Sequence, residues 1–185
     1  DVYQQKVTSG SLRHDVRQAE AAKKLDNLYK HLLATPQPQA APTPTKSSGG
    51  FFSSWFGSSG STKATSVLSA PSVKGLYIWG GVGSGKTMLM DAFYDQLPVR
   101  KQRRHFHSFM LDIHAQLHKS VLPMRGGEAD PLPKIAASFV RDQARVLCLD
   151  EFQVTDVADA MILKHLFSSM FENGLVMVAT SNRKP

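Results

Sequence analysis

Eight consecutive residues, Gly80-Gly81-Val82-Gly83-Ser84-Gly85-Lys86-Thr87, match G-x-x-x-x-G-K-[ST] at every fixed position. Glycine loses more conformational freedom on folding than any other residue, so its concentration here needs a reason. Without side chains, the backbone N–H groups of such a loop can close around a phosphate. A helix that starts there adds the partial positive charge of its N-terminus. Lys86 would then reach the β- and γ-phosphates of a nucleotide, and the Thr87 hydroxyl would ligate Mg²⁺. The alternative is a flexible glycine turn, but the flanking residues argue against it. "LYIW" (76–79) reads as a strand entering the loop, and "KTMLMDAFYDQL" (86–97) as a helix leaving it.

Hydrolysis needs a second hold on the metal and a group that handles water. "RVLCLDEF" (145–152) supplies a candidate for each. Four apolar residues carry the chain through a core, and Asp150 emerges at the carboxyl end of that strand, where such sheets bind ligands. Asp150 would hold Mg²⁺ directly or through its water shell. Glu151 would polarise the attacking water as general base. Two acids after a strand are weak evidence alone; following a phosphate loop, they gain weight. A small GTPase usually has Asp-x-x-Gly here, and a small-molecule kinase seldom needs the glutamate, so ATP hydrolysis is the better reading. In "VMVATSNR" (176–183) a further strand ends in polar Asn182. That side chain could touch the γ-phosphate and orient water, or it could simply terminate the strand as a turn asparagine.

Alternating elements must position these groups. Beyond the first strand and helix, "HFHSFM" (105–110) reads as a strand, and 111–121 and 131–143 as helices. "RVLCLD" (145–150) reads as a buried strand, 155–173 as a helix capped by Thr155 or Asp156, and "LVMVATS" (175–181) as another buried strand. Unbroken apolar strands alternating with helices imply an α/β fold: a parallel sheet with helices on both faces. Ahead of it, residues 11–33 show helical spacing through Leu12, Val16, Ala19, Leu25, Leu28, Tyr29 and Leu32. This helix is expected to pack on a neighbouring domain. Residues 35–73 are rich in Pro, Ser, Thr, Gly and Ala, and are expected to be a disordered linker or insert. "FFSSWF" (51–56) inside it could be a sticky motif, but its setting favours no role. The expected division is therefore 1–34, 35–73 and a core at 74–185.

The chain carries 22 Lys+Arg against 15 Asp+Glu, a net charge of +7, which suits an anionic partner and says nothing about fold. Its one cysteine, Cys148, rules out an internal disulfide. No apolar run is long enough to cross a bilayer. The chain begins at Asp1 and stops after "ATSNRKP", so it reads as a fragment at both ends.

"GLYIWGGVGSGKTMLMD", "HFHSFMLDIHAQLH", "RVLCLDEFQVTDVADAMILKHLF" and "VATSNRKP" closely resemble the ZapE-like (AFG-one-like) AAA+ ATPases of bacteria and mitochondria. "LDEFQVTDVADAMIL" is far more specific than the phosphate loop. "LRHDVRQAEAAKKLDNLYKHL" is similar to the family's N-terminal segment. The resemblance implies an AAA+ P-loop NTPase core over 74–185 that binds ATP through Gly80 to Thr87. It implies Mg²⁺ at Thr87 and Asp150, catalysis by Glu151 with Lys86, and sensing by Asn182. It also implies a homo-oligomeric ring acting on a protein substrate, in protein quality control or cell division. An arginine finger from a neighbouring subunit and a helical lid are expected beyond Pro185. The 35–73 insert departs from the compact bacterial pattern and points to a mitochondrial address; a bacterial version would be cytoplasmic. Membrane association stays open.

A nucleotide-gated adaptor with little turnover is the alternative function. A nucleic-acid motor ranks last, because no base-stacking or groove-reading motif accompanies the charge. The basic run "RKQRR" (100–104) reads as a solvated loop. His105 and His107 on one strand face, and His114 and His118 four apart on a helix, have spacings seen at metal sites. No cysteine or carboxylate completes a set, so packing or surface roles fit them better.

Overall fold

The structure, a computed structural model, describes residues 3, 8, 15–35, 75–121 and 130–184. "FFSSWF" and all of the expected insert except Thr35 lie outside them.

Helix α1 (Val16–Ala34) starts at Asp15, whose carboxylate accepts the Arg17 N–H at 2.7 Å, an N-cap. It buries Ala22, Leu25, Leu28 and Leu32. Val16, expected on that face, is 74% exposed: it is the first residue of the helix, six positions before Ala22, the first one buried. The rest of the chain runs β1 (Gly75–Trp79), α2 (Lys86–Gln96), β2 (Lys101–His105), α3 (Phe106–Val121), α4 (Leu132–Ser138), β3 (Val146–Asp150), α5 (Val157–Glu172) and β4 (Val176–Ser181). A π-helical turn, Phe139–Gln143, extends α4, and Arg100 donates to its Val140 and Arg141 carbonyls. Asp156 is the cap of α5, its carboxylate accepting the Ala158 N–H at 2.7 Å.

Among the described residues the four strands form one parallel sheet in the order β1-β4-β3-β2. β3 is buried along its whole length and alternates with the period of a strand. Leu147 and Leu149 join one core with α3, α4 and α5. Val146 and Cys148 join the other with α1 and α2. The expected helices on both faces are present. The first helix, expected against a neighbouring domain, lies on this core: Leu25, Leu28 and Leu32 share a cluster with Ile78, Leu89 and Phe93. Burial pushes the Cys148 thiol up to about 12, which makes it a core residue and a poor nucleophile.

One boundary differs from expectation. The strand is Lys101–His105, not 105–110, and the rest of "HFHSFM", from Phe106, opens α3. Phe106, Phe109, Met110 and Ile113 are buried at spacings of three, one and three, a helical stripe that "HFHSFM" alone is too short to show. The basic run forms a strand because its cations find partners on the flanking helices. On one face, Lys101 donates to the Tyr94 and Asp95 carbonyls at 2.5 and 3.2 Å, and Arg103 reaches Asp91, all on α2. On the other, Arg104 pairs with Asp112 of α3. An outer strand of a sheet tolerates such charges. The histidines separate accordingly: His105 ends the strand and His107 is in α3. His114 lies 2.8 Å from Asp159. Among the described residues no three His, Cys, Asp or Glu gather as for a metal ion.

Candidate functional site

The loop between β1 and α2 is built to present amides. Gly83 and Gly85 have φ +78° and +81°, a left-handed conformation that a β-carbon makes costly. No side chain caps α2 at Gly85, so its first-turn N–H groups and the positive end of its dipole are left to another acceptor. A β-carbon on Gly81 or Gly83 would meet nothing within 4 Å, so the loop stands clear on that side. The Lys86 ammonium donates to the carbonyls of Gly80 and Gly81 at 2.8 and 2.7 Å and to Ser84 Oγ at 3.3 Å. It is therefore held above the loop. Thr87, in the first turn of α2, is exposed.

The acids stand across one intervening strand. β4 separates β1 from β3, so loop and acids leave the same carboxyl edge two strand spacings apart, roughly 10 Å. β4 holds both. Its Ser181 carbonyl accepts the Gly80 N–H at 3.2 Å. Its Thr180 hydroxyl donates to Asp150 Oδ1 at 3.3 Å and accepts the Glu151 N–H at 3.3 Å, while the Thr180 carbonyl accepts the Phe152 N–H at 2.7 Å. Asp150 is buried and Glu151 exposed. Glu151 has φ +56°, which non-glycine residues adopt at a cost of about 1–3 kcal/mol. The Thr180 contacts hold that conformation in place. So does Phe152, whose ring lies against Phe106 with centroids 4.7 Å apart. Asn182 follows Ser181 at the bend after β4 and is exposed.

The donor set fits a polyphosphate and a divalent cation. It offers uncapped amides and an ammonium for the anion, with a hydroxyl and a buried carboxylate as hard oxygen ligands. A model of the AFG1-like ATPase family matches residues 1–185, the whole chain.

The chain belongs to the AFG1-like ATPase family.

It is 42% identical to the cell division protein ZapE of Escherichia coli K12 over 184 residues, covering 99% of this chain and 45% of that one. It is 39% identical over 196 residues to an uncharacterized protein of Schizosaccharomyces pombe, covering 100% of this chain and 43% of that one. Lactation elevated protein 1 homolog B of Danio rerio is 49% identical over 119 residues, 60% of this chain and 24% of its own. The chain thus spans less than half the length of these relatives, which are both bacterial and eukaryotic. The fold is that of an AAA+ P-loop NTPase. Among the described residues no helix is long and apolar enough to cross a membrane.

Three contributors to this candidate site escape a reading of the sequence. Gln18 of α1 donates to the Ser84 carbonyl at 3.1 Å, bracing the glycine loop from outside. Its Oε1 is buried with no hydrogen-bond partner. A cleft of about 560 Å³ lies there, bounded by Gln18, Ala21, Trp79, Gly81 and Lys86. Nothing in "VRQAE" marks that glutamine. Arg103 is hidden in the basic run taken for a loop, and donates from Nε to Asp150 Oδ2 at 2.7 Å. Thr180 had a signal, a hydroxyl inside an apolar strand two residues before the polar Asn182. Thr180→Val is expected to lower the unfolding free energy by about 1–3 kcal/mol, because a buried carboxylate and an N–H lose their partner. Thr180→Ser should recover most of it. An unchanged denaturation midpoint for the valine variant would show that the hydroxyl contributes nothing.

Proposed function

We propose that the protein binds ATP with Mg²⁺ and hydrolyses it, using the energy to remodel a protein substrate. The observation that carries this reading is the Thr180 bridge. One residue of β4 holds the metal-type carboxylate and the strained glutamate together, one strand from a loop of uncapped amides. In this reading the amides of Gly80 to Thr87 and the Lys86 ammonium grip the polyphosphate, with Val82 and Ser84 contributing backbone groups. Thr87 and Asp150 hold the cation, which supplies charge neutralisation at the phosphates. Glu151, exposed beside that carboxylate, takes the proton of the attacking water, and Asn182 orients that water or the γ-phosphate. Family membership supports a homo-oligomeric ring. A mitochondrial location, a role in quality control or cell division and membrane association extend from the same relationship.

The test is phosphate release by the intact protein with ATP, with and without Mg²⁺, alongside calorimetric titration of Mg-ATP. Metal-dependent release of many phosphates per site is expected, with chelation by EDTA stopping it. Tight binding with less than one turnover per site, even at concentrations where the protein oligomerises, would replace this reading with a nucleotide-gated adaptor. No heat of binding would remove the nucleotide altogether.

A further inference from the structure

The two residues assigned to the cation sit on different elements, Thr87 on α2 and Asp150 at the end of β3. One side chain connects those elements directly. From β2, Arg103 donates through Nε to Asp150 Oδ2 at 2.7 Å and through a terminal nitrogen to Asp91 Oδ1. Asp91 lies on α2 four residues after Thr87, so the two share a face of that helix, one turn apart. The remaining Asp150 oxygen takes the Thr180 hydroxyl. Asp150 is thus gripped from both sides, by β2 and by β4. Arg103 pairs opposite Cys148 in the sheet, two residues short of Asp150, so its side chain runs along the strand toward the carboxylate.

Resting on the nucleotide reading above, we infer that Arg103 is a positioning residue for the cation. It is a brace that fixes the Asp150 carboxylate relative to the helix carrying Thr87, and Asp91 is its anchor. The brace needs a fork, because one guanidinium must reach two carboxylates in different directions. An ammonium offers no such planar geometry. Each carboxylate oxygen retains a further lone pair, so the ion pair leaves Asp150 able to face a cation or its water shell. Arg103 itself touches neither nucleotide nor metal in this scheme.

The experiment measures the affinity of the intact protein for ATP by calorimetry, once in excess Mg²⁺ and once in EDTA, and reads the ratio. For Arg103→Gln the ratio is expected to fall about tenfold, the usual effect of removing an outer partner of a metal ligand. The affinity in EDTA should stay within about twofold, because the phosphate loop is untouched. Arg103→Lys should not restore the ratio. Asp91→Asn, which keeps Arg103 on Asp150 but loosens it from α2, should lower the ratio by a smaller factor, and decides the matter if Arg103→Gln does not fold. An unchanged or raised ratio, full recovery in Arg103→Lys, or equal losses with and without metal would overturn the brace. Failure of the wild-type protein to bind ATP in either condition would overturn the nucleotide reading instead.

Discussion

Glu151→Gln is expected to bind Mg-ATP as tightly as the wild-type protein and to release phosphate at least about a hundredfold more slowly. General-base catalysis typically contributes that much or more. Glutamine has nearly the same shape, and the φ of +56° is imposed by the Thr180 contacts to the backbone of 151 and 152, not by the carboxylate. The variant should therefore fold and hold its loop. Single-turnover phosphate release beside a binding titration separates the two effects. Turnover within a fewfold of wild type would remove Glu151 from the role of base. A parallel loss of binding would show that the substitution had disturbed the bend after β3. That bend also explains why the strain can persist. Phe152 follows immediately and is fixed among Tyr77, Phe106 and Phe167, so the chain cannot relax at 151 without unpacking an aromatic cluster.

Lys86→Ala should weaken ATP binding by roughly a hundredfold and abolish turnover at ordinary ATP concentrations. A hydrogen bond to a charged partner contributes up to about 3 kcal/mol, and each 1.4 kcal/mol is tenfold in affinity. The same ammonium holds the Gly80 and Gly81 carbonyls in the structure, so a purely structural role is the competing account. Thermal unfolding without nucleotide distinguishes the two. If Lys86 serves the ligand, the melting temperature without ATP moves little and the stabilisation added by Mg-ATP disappears. If the melting temperature falls while the ligand still stabilises the remainder, the lysine is a loop tie and the anion is held by amides alone.

Much of this site was open to reading from residue order because its chemistry is local. The candidate phosphate loop is contiguous, its glycines answer a backbone requirement at 83 and 85, and its helix starts within the same stretch. Asp150 and Glu151 follow four apolar residues whose continuity identifies a buried strand, and β3 is buried from end to end. The α/β class followed from the same alternation. The misplaced strand shows where local reasoning stops. "KQRRH" has no apolar signal, because its cations are stabilised by Tyr94, Asp95, Asp91 and Asp112 on two helices. Those helices become its neighbours only when the sheet assembles.

What the order of residues determined by itself is the set of parts: a loop that can hold phosphate, a strand that delivers two acids, and an alternation that requires a parallel sheet. Tertiary structure decided how they are held together. Thr180 meets Asp150 across 30 positions, Arg103 meets Asp150 across 47, and Gln18 meets Ser84 across 66. Backbone preference and side-chain periodicity act over a few residues, so they can specify a turn or a stripe. A contact between distant residues is set by which strands become neighbours, and here the order β1-β4-β3-β2 placed β4 between the loop and the acids, with its Ser181 carbonyl on the loop and its Thr180 on Asp150 and Glu151.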